Sequence, residues 1–290
     1  MACGILIVDK PAGWTSQDVV AKLRGALHEK RVGHGGTLDP MATGVLPVFV
    51  GRATRAVEFF ESAEKEYVAL FRPGITTNTQ DTQGEILSQV SHSVKKEDIQ
   101  AVLPRFLGKI QQIPPMFSAI KIGGKKLYEL ARQGKEVERK ARSITIFELE
   151  VGDFTPEGDF PLRVKCSKGT YVRTLCHDIG AALGCGGCMA GLRRTKAGIY
   201  DLASARTLEE ILAHPAPESL LLPTDSLFAA FPAVTLTPKQ ERFCRNGNPI
   251  PGWTEPGDTF RVYSTSGEFL MLARAKKGQL VTEKSFFEVK

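Results

Sequence analysis

Hydrophobic residues recur along this chain with two periods. Phe160, Leu162, Val164 and Cys166 alternate with Pro161, Arg163, Lys165 and Ser167, and a period of two is that of a strand with one face buried. Ile5-Leu6-Ile7-Val8 and Val45-Leu46-Pro47-Val48-Phe49-Val50 are apolar runs of strand length, and stretches 67–72 and 144–151 add two more strands. Val19, Val20, Leu23, Ala26 and Leu27 fall instead at helical spacing, following a turn at 10–16 that ends in a helix cap. Helices are also expected over 53–61 and 95–107. A further one follows the turn Ser167-Lys168-Gly169-Thr170, with Leu175, Ile179 and Leu183 as its apolar stripe. This places Tyr171 and Arg173 in its first turn, where free amides and the helix dipole favour negative charge. Strands and helices interspersed in this way predict an α+β fold.

Near Phe231 the texture changes to a short helix at 239–244, a Pro/Gly segment at 247–257, and apolar positions at Phe260, Val262, Phe269, Met271 and Phe286. The expected organisation is a large α+β domain over 1–230 and a small β-barrel over 231–290. Within the first domain, Pro114-Pro115 bars a regular helix and Gly123-Gly124 marks a turn. Stretch 114–142 is therefore read as a mobile, surface-exposed insertion with one short helix, the kind of connection that serves as a lid or binding loop.

Apolar residues make up 42% of the 290, enough for a sizeable core and too many for a disordered chain. Lys and Arg exceed Asp and Glu by 38 to 32, and the excess is concentrated. Stretch 121–142 holds eight basic residues against three acidic, and 163–200 holds seven against one. Such blocks suit a polyanion, although charge alone is equally compatible with solvated faces. The N-terminal apolar run is too short for a signal peptide, and no run approaches the roughly 18 apolar residues of a membrane span, so a cytoplasmic protein with no membrane partner is expected. Six cysteines should be free thiols in a reducing compartment. The sole CxxC, Cys185 to Cys188, has no second motif to complete a zinc site. Without HExxH, a carboxylate cluster, a Walker loop or a GxGxxG after a strand, neither metal nor cofactor is expected.

Stretch 32–47 packs four glycines, two prolines, His34 and Asp39 into one loop ahead of an apolar strand. A segment so rich in permissive residues holds a particular backbone shape and admits a large ligand closely. Each candidate alone has a plain explanation: Asp39 as a turn former, His34 as a loop residue, Tyr67 as a core aromatic, Arg173 as a surface contact. In combination they describe a nucleic-acid cleft with one carboxylate at its floor. An arginine beside that carboxylate keeps it ionised against the desolvation that raises its pKa, and an ionised carboxylate suits nucleophilic or general-base work.

Lys10-Pro11-x-Gly13-x-Thr15-Ser16, the run from Gly33-His34 through Gly36-Thr37-Leu38-Asp39-Pro40 to Leu46-Pro47, the Tyr67 strand, Pro114-Pro115-x-x-Ser118-Ala119-x-Lys121, and Ser167-Lys168-Gly169-Thr170-Tyr171-x-Arg173 closely resemble the bacterial TruB family of tRNA pseudouridine synthases. The match runs in order from residue 4 to about 200. The resemblance implies the pseudouridine synthase fold, with a mixed, largely antiparallel sheet, RNA across a cleft, and a C-terminal PUA-like RNA-binding domain. It implies isomerisation of uridine to pseudouridine at position 55 of the tRNA T-stem-loop by a monomer that needs no guide RNA. Asp39 falls on the essential aspartate, His34 on the residue that enters the stack, Tyr67 on the tyrosine that stacks on the target uracil, and Arg173 on the arginine paired with the aspartate. Tyr171 and Leu192 match substrate-contact positions, and Lys10, Gly36 and Lys168 supporting ones. The loop reads His-Gly-Gly-Thr where the family more often has His-Thr-Gly-Thr, and Cys176-His177-Asp178 and the last sixty residues match less well.

The implied reaction makes physical sense of these residue types. Extruding a nucleotide costs a few kcal/mol, least in a loop, and a side chain that fills the gap together with an aromatic on the extruded ring offsets it. Three routes stay open to Asp39: attack on the ribose, attack on the base at C6, or help in removing the C2′ proton. The rival reading is a non-catalytic tRNA chaperone that opens and refolds the tRNA elbow. A guide-dependent catalytic subunit is a lesser alternative.

Overall fold

The computed structural model describes residues 2–255 and 257–288. Its centre is a ten-stranded sheet in which the strands run Arg206–Thr207, Gly4–Lys10, Thr43–Val50, Gly187–Ala197, Lys65–Pro73, Phe160–Cys166, Arg142–Val151 and Gly108–Gln112; Val32–His34 pairs with Thr43–Val50, and Tyr200–Asp201 with Gly187–Ala197. Two junctions are parallel, Gly4–Lys10 with Arg206–Thr207 and Thr43–Val50 with Gly187–Ala197, and the rest are antiparallel. The sheet is thus mixed and largely antiparallel, as expected.

The two apolar runs pair with each other, Ile5 opposite Phe49 and Ile7 opposite Pro47. They have no polar face because both sides of the sheet are covered there. On one side Leu6, Val8, Leu46, Val48, Ala69, Leu162 and Val164 pack with Val19 and Leu23 of helix Ser16–Ala26 and Leu175 and Ile179 of helix Val172–Ala182. On the other, Ile5, Ile7, Val45 and Phe49 pack with Phe60, Tyr200 and Phe228 and reach Leu272 and Phe286. The C-terminal region is docked through that second core. It forms a five-stranded sheet in the order Ala233–Thr235, Thr259–Tyr263, Phe269–Lys276, Gln279–Ser285, Ile250–Pro251, with an apolar core of its own. No pairing joins its two outer strands among the described residues, so the expected barrel is an open sheet here.

Local departures have local causes. Stretch 53–61 begins as a tight three-residue-per-turn helix, Gly51–Ala56, before Val57–Glu61. Helix Lys96–Val102 gives way at Pro104 to a 3-10 turn, Leu103–Phe106. Stretch 114–142 carries its one short helix, Leu127–Ala131, and also a hairpin of Lys121–Ile122 with Lys125–Lys126. It is not wholly a surface loop. Met116, Ser118 and Leu127 are buried, and the Phe117 carbonyl ties the segment inward by accepting from Arg173.

The parallel junction positions the site. Arg193 lies opposite Thr43, and Arg194 opposite Gly44. Gly44 has φ +100°, and a Cβ there would fall 2.2 Å from the Arg194 carbonyl oxygen, so only glycine admits this approach. The loop leading into this strand therefore ends on the centre of the sheet, with Asp39 at its turn.

Candidate active site

The residues around Asp39 are tethered one by one. The Leu38 amide donates to Ser16 Oγ at 2.8 Å, and Ser16 Oγ donates back to the Leu38 carbonyl at 3.2 Å. The Pro40 carbonyl accepts from the Gly13 amide at 2.8 Å and from Lys10 Nζ at 3.2 Å, while the Asp39 carbonyl accepts from the Ala42 amide. Lys10 is fully buried, and its ammonium also donates to the carbonyls of Pro11 and Trp14 at 2.8 and 2.6 Å. The first motif thus braces the loop. Burial, opposed by Asp39, brings the Lys10 pKa down to about 8.

Arg173 approaches the Asp39 carboxylate at 3.2 Å. Its second terminal nitrogen lies 3.5 Å from Asp81, and Nη2 also donates to the Phe117 carbonyl at 2.7 Å. One buried guanidinium thus holds two carboxylates and the root of the insertion. Burial is the largest influence on Asp39 and raises its pKa; Arg173 and Lys10 pull the other way, and Asp81 adds to the rise. Desolvation outweighs the arginine, so this carboxyl holds its proton more tightly than an ordinary aspartate, while Arg173 limits the rise.

Tyr67 is buried on the strand beside Arg194, and burial raises its phenol pKa. His34 is half-buried with an unpartnered Nδ1; burial and then Arg194 push its pKa down. Gly36, at φ +111°, faces Arg194 and Lys65. Leu192 is half-buried opposite Ala69. Lys168 is exposed on its turn, near enough to Lys65 to depress that ammonium. Tyr171 is the N-cap of helix Val172–Ala182 rather than part of its first turn. Its amide is not free for an anion, because Gln112 accepts from it at 2.8 Å.

Four contributors escaped the sequence reading. Asp81 lies in the polar stretch between Gly74 and Gly84, where its side chain accepts from Thr79 Oγ1 and the Gln83 amide, a common turn signal. Gln112, Lys65 and Arg194 carried no distinguishing local pattern. Arg194 is 1% exposed, donates to the carbonyls of Val45 and Gly36 at 2.7 and 3.1 Å, and has no ion pair among the described residues. Lys10, Lys65, Arg173 and Arg194 outnumber Asp39 and Asp81 among the charged groups here, so the site attracts anions.

A half-buried carboxylate on a loop and a buried arginine in a helix's first turn thus meet beside a mixed sheet, ringed by cations. A chain of a Cbf5–Nop10–Gar1 complex superposes on it with TM-score 0.74 and 28% identity, covering 99% of this chain and 86% of that one. A chain of an H/ACA RNP bound to a substrate RNA containing 2′-deoxyuridine does so with TM-score 0.72 and 26% identity, over 99% and 86%. The family described as "TruB family pseudouridylate synthase (N terminal domain)" matches residues 24–172, and "tRNA pseudouridylate synthase B C-terminal domain" matches 173–229. The chain is 44% identical to tRNA pseudouridine synthase B of Pseudomonas aeruginosa (strain UCBPP-PA14), covering 92% of this chain and 90% of that protein, and 43% identical to the Dechloromonas aromatica (strain RCB) protein of the same name, over 99% and 96%. The chain belongs to the TruB family of pseudouridylate synthases. No helix among the described residues is long and apolar enough to cross a membrane.

Proposed function

We propose that this chain converts uridine 55 in the T-stem-loop of tRNA to pseudouridine, as a cytoplasmic monomer acting without guide RNA or cofactor. Asp39 is the carboxylate that acts on the extruded nucleotide. The observation that carries the reading is the Asp39–Arg173 contact, 3.2 Å across 134 residues of sequence, on a loop tethered at both flanks. Relatives named tRNA pseudouridine synthase B support tRNA as the substrate.

His34 enters the space the nucleotide vacates, and the Tyr67 ring stacks on the extruded uracil, with Leu192 and Tyr171 completing the contact. Lys10 and Gly36 hold the loop, while Lys168 and the insertion 114–142 meet phosphates. The C-terminal sheet over 231–290 is a PUA-like extension of the RNA surface. The chemistry is an isomerisation: the N1–C1′ bond breaks, the ring turns, C5 bonds to C1′, the C5 proton leaves and N1 gains one. Atoms and charge balance without a co-reactant.

The test is tritium release from tRNA transcribed with uridine labelled at C5, together with mapping of the modified position, for the wild type and for Asp39→Asn. Release and a single pseudouridine at 55 with the wild type, both abolished in the variant, support the reading. Product from Asp39→Asn removes Asp39 from the chemistry. RNA refolding without any release would leave the chaperone reading in its place.

A further inference from the structure

Gln112 is a buried polar side chain next to the site that has so far been given no role. Gln112 ends strand Gly108–Gln112, immediately before Ile113-Pro114-Pro115 begins the insertion, and it is 3% exposed. Its Oε1 accepts the Tyr171 amide at 2.8 Å, and its Nε2 donates to the Tyr171 carbonyl at 3.1 Å. A primary amide offers one acceptor and one donor side by side, so it grips a residue's backbone as a neighbouring strand does. Tyr171 caps the helix whose first turn carries Arg173. Five residues beyond Gln112, the Phe117 carbonyl takes the shortest polar contact that Arg173 makes, at 2.7 Å. That carbonyl is braced in turn: Ser118 N–H donates to Met116 at 2.9 Å, and Tyr128 N–H donates to Ser118 at 3.1 Å. Segment 112–117 is therefore attached at both ends to the turn that aims Arg173 at Asp39.

We propose that Gln112 is a positioning residue for pseudouridine formation: by gripping the Tyr171 backbone it fixes the helix start and, through it, the Arg173 guanidinium opposite Asp39. The inference rests on the reading of Asp39 and Arg173 given above. A purely structural role, knitting an edge strand to the sheet, would lower stability and leave the rate per folded molecule alone. A positioning role acts on the chemical step, because a displacement of a fraction of an ångström at Arg173 weakens its hold on Asp39.

Gln112→Met keeps the bulk and removes both hydrogen bonds; Gln112→Glu keeps the acceptor and, when ionised, loses the donor. Each is compared with the wild type and with Asp39→Asn by single-turnover tritium release under saturating enzyme, by tRNA binding, and by thermal melting. Gln112→Met should lower the single-turnover rate by about tenfold, in line with the cost of small misplacements, with tRNA affinity essentially unchanged because phosphate contacts dominate it. Gln112→Glu should fall between Met and the wild type. A wild-type rate in a Gln112→Met protein that merely melts earlier overturns the inference, as does equal loss of affinity and rate in a folded protein. Product from Asp39→Asn would instead discard the reading of the site and this inference with it.

Discussion

Replacing Arg173 by Met removes the one guanidinium shared by Asp39, Asp81 and the Phe117 carbonyl. At 3.2 Å, opposite unit charges attract by about 5 kcal/mol at an effective dielectric of about 20. The Asp39 side chain is 33% exposed, so water screens part of that attraction. The loss should fall between the roughly 1 kcal/mol of an exposed pair and the roughly 3–5 kcal/mol of a broken buried one, near 2–3 kcal/mol. Taken wholly from the chemical step, that is a rate loss of about 30- to 150-fold. Burial already raises the Asp39 pKa and Arg173 opposes it, so the variant's carboxyl is protonated to higher pH. Activity that needs the carboxylate then recovers as pH rises, and its acid limb moves upward from that of the wild type. Because the folded pKa lies above the unfolded one, Asp39 contributes most to stability at low pH, and the contribution fades as pH climbs through the folded value. The assay is single-turnover tritium release as a function of pH, with melting curves on the same samples. A folded Arg173→Met variant with the wild-type rate and an unmoved acid limb would refute the electrostatic account.

Gly44→Ala should destabilise by at least about 2 kcal/mol, since a side chain at φ +100° meets the Arg194 carbonyl at 2.2 Å; a denaturation midpoint equal to that of the wild type would contradict the packing described. Lys10 has a folded pKa of about 8 against an ordinary 10.5, so the unfolded chain binds more protons between these values and stability rises with pH across that window; Lys10→Met should flatten this rise, leaving the smaller slope from Lys65, which is also lowered to about 8. Affinity for tRNA should fall linearly on a log–log plot against salt, with a shallower slope once Lys121, Lys125 and Lys126 are replaced by Gln. An unchanged slope would assign that basic block to solvent.

Much of the fold was legible because burial imprints itself locally. The alternation in Phe160–Cys166 and the runs in Gly4–Lys10 and Thr43–Val50 became strands, and the expected turn does lead into helix Ser16–Ala26, capped by Thr15, one residue before the turn's expected end. The motifs also led to Asp39 and Arg173, which meet as the resemblance implied. What escaped was long-range. Asp81 lies 92 residues from Arg173, and Gln112 lies 59 from Tyr171; nothing near either residue records its partner.

The amino-acid order by itself determined which segments become strands and helices and which loop carries the acid, since side-chain period and backbone freedom are properties of neighbours along the chain. Tertiary structure alone decided that Arg173 divides its charge between two carboxylates, that Arg194 is buried without an acidic partner, and that burial outweighs the arginine in setting the proton affinity of Asp39. Coulomb attraction and desolvation depend on distance and on excluded water, and both are set by which strands become neighbours in the sheet.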